Sequence, residues 1–183
     1  MPSSLDSLNA ESALRQLTAE LLSGERDRAS FRQAVADLAQ QRLACATVTL
    51  WAIEDLRNLH CVTSSGTDPG LIDTRISFDA VLDLLEEVAR HKVFQCSDRD
   101  AAPAHSAAAQ QALQLTAGPT GAVLVIGATL NGRLIGLICA TEHDGQRQWS
   151  GAEQATLKRM AVQLAACVSR HQATTHAVHY ESL

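Results

Sequence analysis

The stretch from residue 122 to residue 141 constrains this chain more than any other. Ala122–Leu130 is a near-continuous apolar run, interrupted by Gly127 and Thr129. Asn131-Gly132 follows. That dipeptide suits a type I′ hairpin turn, in which both central residues take positive φ. Residues 134–141 then return as a second apolar run. Neither run alternates, so neither can leave one face in water along its length. The two read as central strands of a sheet, covered by helices.

The flanking segments supply the covers. Leu14, Leu17 and Leu21 share a face of a helix over residues 9–22, which Gly24 ends. Glu25-Arg26-Asp27-Arg28 is a charged connector. Ser30 and Gln33 have capping-box spacing and open a second helix. Along it Phe31, Ala34, Val35 and Leu38 form one apolar face. Residues 47–53, rich in β-branched side chains, read as a strand, and residues 59–63 pair with it as a hairpin. The composition of residues 64–70 is that of a loop. Phe78, Val81, Leu82, Leu85 and Val88 mark a third helix over residues 78–90, and residues 93–96 a short strand. Residues 103–115 are Ala- and Gln-rich with few large anchors, which predicts a weakly packed, mobile helix. Ser150 and Glu153 form a further capping box, opening a helix with Leu157, Met160, Ala161, Leu164 and Val168 on one stripe. This order lacks regular β–α alternation. It favours an α+β fold, a central antiparallel sheet of five to six strands flanked by helices.

The chain has 183 residues, enough for one domain with extensions or two very small ones. Its formal charge of −5 argues against nonspecific binding to nucleic acid or an anionic membrane. No apolar run approaches the ~20 residues of a bilayer span. The N-terminus lacks the basic flank and apolar stretch of a secretion signal. The five cysteines, Cys45, Cys61, Cys96, Cys139 and Cys167, contain no C-x-x-C pair and read as reduced thiols of a cytoplasmic protein. The motifs of a serine-hydrolase elbow, a zinc-protease helix and a phosphate loop are all missing. No catalytic residue and no metal site are assigned. His91, Cys96, Asp98, Asp100 and His105 could between them supply two or three ligands to a haem or metal ion, but His91 and His105 read as solvated, at a helix end and in a loop. Cys167 and His171 share a helix face, where Cys167 fits the packed side and adventitious capture outweighs a built site.

Residues 132–143 (Gly-Arg-Leu-Ile-Gly-Leu-Ile-Cys-Ala-Thr-Glu-His) are followed by Arg147-Gln148-Trp149-Ser150-Gly151-Ala152-Glu153. An Asn-Gly turn, a Gly inside the return strand and an Arg-Gln-Trp-Ser entry to a long helix resemble the C-terminal half of a GAF domain, the sensing module of many bacterial signalling proteins. The resemblance extends over residues 29–172. It implies a GAF/PAS-like sheet with N- and C-terminal helices packed together. It divides the chain into a leading helix at 1–25, which is a possible dimerisation element, a GAF-like domain at 26–172 and a flexible tail at 173–183. Gly136 admits a close neighbour, and Trp149 stands where it can staple the last helix.

Functionally, the resemblance implies a non-catalytic sensory or regulatory domain that binds a small molecule. It would signal through terminal helices as a homodimer, with neither nucleic acid nor membrane as partner. Members bind ligands between the sheet and the middle segment, which points here to Phe78, Leu82, Phe94, Cys96, Asp98 and His105. Cyclic-nucleotide binders carry an N-K-x-D-type motif, and bilin binders a Cys followed by His; neither stands in this chain. The Pro-Gly-His-type loop of the branch that reduces free methionine sulfoxide is missing too. No cofactor is named, and a ligand-free dimerisation or interaction module is the alternative. Only Phe78 and Phe94 offer rings in the middle segment, so a pocket there would be lined by small aliphatic side chains.

Overall fold

A computed structural model describes residues 4–55, 57–66, 70–97, 106–116, 121–143 and 147–180. The chain opens with α1 (Ser4–Ser23), ended by Gly24 at φ 79°, and α2 (Arg28–Leu43). Strands β1 (Thr47–Ile53), β2 (Asn58–Gly66) and β3 (Arg75–Ser77) follow. A 3-10 turn, Phe78–Val81, leads into α3 (Leu82–His91), then β4 (Val93–Cys96). The short helix α4 (Ala107–Ala112) runs into a second 3-10 turn, Leu113–Leu115. Strands β5 (Ala122–Leu130) and β6 (Arg133–Glu142) and the long helix α5 (Gly151–Tyr180) complete the fold.

The strands form one antiparallel sheet in the order β3-β2-β1-β6-β5-β4. The β5–β6 turn has Asn131 at φ 50° and Gly132 at φ 76°, as a type I′ connection requires. The two apolar runs are interior strands, with β6 between β1 and β5. Period-two alternation sends successive side chains to opposite faces. Leu124, Ile126 and Ile138 face a core built with α1, α2 and α5. Val123, Val125 and Leu137 face a second core built with α3 and α4.

Gly136 sits where β6 crosses β1. A Cβ there would stand 2.5 Å from the Trp51 carbonyl oxygen. The close neighbour that this glycine admits is therefore the backbone of β1.

Several local expectations change. Asp27, not Ser30, caps α2: its carboxylate accepts the Ser30 backbone N–H at 2.8 Å. An ionised carboxylate is the stronger acceptor, and Ser30 already lies in the first turn. Gln33 instead donates to Asp37 and to the Ser64 carbonyl. Strand β2 continues through Ser64 and Ser65, because Thr49 and Val48 of β1 pair with them. Strand β3 is three residues long, too short to show a period. Helix α4 is better held than its composition predicts: Ala108, Ala112 and Leu115 are buried, and Gln111 accepts the Leu84 N–H at 2.9 Å while donating to Asp83 at 2.7 Å. Small side chains let that helix approach closely, and the glutamine fixes it. Helical backbone continues to Tyr180, through part of the segment that the sequence assigns to a tail.

Adding one methyl group at Gly136 should force β1 and β6 apart. Gly136→Ala is expected to destabilise the fold by about 2 kcal/mol, in the range of overpacking costs. Urea unfolding followed by circular dichroism checks this as a lowered midpoint.

Candidate functional site

Beneath α3 and α4 the structure places a second core. Trp51, Leu59, Leu84 and Leu115 are almost wholly buried there. The Trp51 indole N–H donates to Thr49 Oγ1 at 3.0 Å, so its polar atom is satisfied within the layer. Of the middle-segment candidates, Phe78 and Phe94 lie partly buried against this core. Leu82 turns outward, 49% exposed. Cys96 is half-buried at the end of β4, and Asp98 and His105 lie outside the described residues. The structure thus brings Phe78 and Phe94 to one core and leaves Leu82 away from it.

The opposite face carries a cavity of about 480 Å³. Its floor is the sheet, with Leu50 and Ala52 from β1 and Gly136 from β6. Its roof is Leu21 and Leu22 of α1, Phe31 of α2, and Leu164 of α5. Two β-bulges shape it. The register of β1 with β2 shifts between Leu50 and Trp51, which makes Val62 an extra residue in β2. The register of β5 with β6 shifts between Ala128 and Thr129, which does the same for Ile135 in β6. Both extra residues line the cavity, in keeping with the use of bulges to re-aim side chains.

The charged groups of this cavity all come from the α1–α2 connector and the first turns of α2. Arg26 pairs with Glu20 at 2.7 Å, and Asp27 is engaged in capping. Arg28 and Arg32 also line the cavity, and among the described residues neither side chain makes an ion pair or hydrogen bond. Burial and then the Arg28 charge lower the pKa of Arg32, with Glu54 acting in the opposite sense. The connector reads from the sequence as a solvated charge run; nothing local in it signals the apolar chamber behind it.

Arg147 joins three elements. Its guanidinium donates to the Leu43 and Ala44 carbonyls at the end of α2, to Glu142 at 3.0 Å and to Glu153 at 2.6 Å. Carbonyls at a helix C-terminus have no intrahelical partner, so the arginine completes α2. Its carbon Cζ lies 4.4 Å from the centroid of the Trp149 ring, which is itself buried in the core. Ser150 and Glu153 form the expected capping box: the Ser150 N–H donates to Glu153 at 2.7 Å, and the Glu153 N–H to Ser150 Oγ at 3.3 Å.

The buried cysteines are held as thiols. Desolvation pushes Cys45 and Cys61 up to about 11 and raises Cys139 as well, which suppresses the nucleophilic thiolate. Among the described residues, no cluster of three or more His, Cys, Asp or Glu could hold a metal ion, and no helix is long and apolar enough to cross a membrane.

The sequence profile of the GAF domain matches residues 27–168, and the chain belongs to that family. The GAF domain of an Acinetobacter phosphoenolpyruvate-protein phosphotransferase superposes with a TM-score of 0.73 at 13% identity, covering 93% of this chain and 96% of that one. The phycocyanobilin-bound GAF domain of a cyanobacterial phytochrome gives 0.77 at 17%, covering 91% and 97%. The GAF domain of a phosphoenolpyruvate-protein phosphotransferase from Coxiella burnetii gives 0.69 at 18%, covering 92% and 98%. At these identities the likeness is one of fold. No curated protein sequence matches the chain.

The Arg147–Glu153 contact has a pH signature. Burial alone would raise the Glu153 pKa, but the hydrogen bonds from Arg147 and Ser150 outweigh it and hold the carboxyl below its usual 4.5. A depressed carboxyl stabilises the fold above the unfolded pKa, and the gain is lost as pH falls through the folded value. Glu153→Gln should therefore cost about 1–2 kcal/mol near neutrality. The gap to the parent protein should narrow as pH falls below 4.5 and close once the carboxyl is protonated in the fold. Urea midpoints measured across that range check both statements.

Proposed function

We propose that this chain is a non-catalytic sensory or regulatory GAF domain of a bacterial, cytoplasmic signalling protein. It takes a small molecule into the cavity between the sheet and helices α1, α2 and α5. The observation that carries this reading is that the cavity has the first and last helices as its walls. A ligand can bias a protein only through differential contacts with two of its states. A molecule seated here touches the helices through which such a domain passes its state onward. The volume lies in the usual range of small-molecule sites, roughly 300–1,000 Å³.

The middle-segment residues Phe78, Phe94 and Cys96 are the other seat considered, with α4 as the part that would move. The chamber of about 480 Å³ against α1, α2 and α5 favours the terminal-helix seat over it. The domain works as a homodimer in this reading. Leu14, Leu17 and Leu21 face the protomer's own core, so the seam falls to what the terminal helices leave bare. Leu22 is 50% exposed and Val162 65%.

A thermal-shift screen of amino acids, nucleotides and small metabolites tests the ligand claim, since selective binding raises the melting temperature in a dose-dependent way. At least one compound should stabilise the parent protein and lose its effect on Leu164→Trp, which fills the cavity. An effect that survives Leu164→Trp but is lost on Phe94→Ala would move the site to the middle segment. A flat screen would leave a ligand-free dimerisation module. For the dimer, light scattering should show two chains for the parent protein and one for Val162→Lys; an unchanged dimer removes α5 from the interface.

A further inference from the structure

The cavity is chemically one-sided. Its charged groups enter from the α1–α2 connector and the first turns of α2, while the sheet floor and the α5 wall are apolar. Arg26 is neutralised by Glu20, and Asp27 is committed to the α2 N-terminus. Arg28 and Arg32 are left at positions i and i+4, one above the other on α2. Both are half-buried and line the chamber, and among the described residues neither has an ion-pair partner. Glu54 acts favourably on Arg32 but is itself held by His60 at 2.6 Å and by Arg75 at 3.6 Å. Burial and the neighbouring charge both work against the Arg32 cation. An anion between the two guanidiniums relieves the second and offsets the first.

We propose that the cavity takes a single-headed apolar carboxylate, of the class of medium-chain fatty acids, with its head between Arg28 and Arg32 and its chain along Leu50, Val62, Ile135 and Leu164. The inference deepens, and rests on, the reading that this cavity is the ligand seat. Geometry favours a carboxylate because a guanidinium fork matches its two oxygens. The apolar walls disfavour a sugar or a nucleotide, whose further polar groups would be desolvated without partners. A hydrocarbon chain gains by leaving water for those same walls.

The test uses octanoate, 1-octanol and octylammonium, titrated calorimetrically into the full chain below their aggregation concentrations. Octanoate should bind at least tenfold tighter than 1-octanol, the worth of a charge-assisted hydrogen bond, and octylammonium should be weakest. Arg32→Gln should abolish the preference for octanoate while leaving 1-octanol binding unchanged. Arg28→Gln should reduce that preference in the same way, and it carries the test if circular dichroism shows Arg32→Gln to be unfolded. Equal binding of octanoate and 1-octanol by the parent protein, or an octanoate affinity untouched by both arginine variants, overturns the carboxylate claim. If octanoate fails to bind while another compound loses its effect on Leu164→Trp, the carboxylate claim falls and the cavity reading stands. If nothing binds in a Leu164-dependent way, both fall.

Discussion

The fold depends on the pairing of β1 with β6. Thr47 lies opposite Thr141, and Ala52 opposite Gly136. This ladder joins a hairpin near the start of the chain to one near its end. Such distant pairing costs loop-closure entropy before any contact repays it. The gain comes from two strands buried on both faces, and it requires the backbones to approach without obstruction at Gly136. Arg147 secures the same junction from outside the sheet, drawing the end of α2, the end of β6 and the start of α5 onto one guanidinium. Once that junction is formed, the identity of each face follows from alternation, except at the bulged Val62 and Ile135.

The two faces are used differently. Under α3 and α4 large side chains, Trp51 foremost, are buried, and the Trp51 indole N–H is satisfied by Thr49. Under α1, α2 and α5 the floor is made by small residues, Ala52, Ala128 and Gly136, and the bulged Val62 and Ile135 stand around it. The sheet backbone is common to both faces.

Much of this architecture is legible in the residues themselves. The Asn131-Gly132 turn needs positive φ, the 150–153 capping box satisfies backbone groups within four residues, and the apolar runs have no other way to be buried. These are local demands, so local sequence reports them. The cavity is a different kind of object. Its walls come from α1, α2, β1, β2, β5, β6 and α5, and no short window contains two opposing walls. The register shifts that aim Val62 and Ile135 are set by pairing with other strands. Arg28 and Arg32 look from their neighbours like solvated charges, although both are half-buried.

The order of the sheet also bears on solubility. The long strands lie inside, up to ten residues in β6, while the two edges are β3 with three residues and β4 with four. An open strand edge is a template on which another chain can add hydrogen bonds, and short edges limit that growth. The most apolar segments of the protein are thus sequestered between neighbours once folded. The two outermost strands themselves offer only three and four residues of ladder.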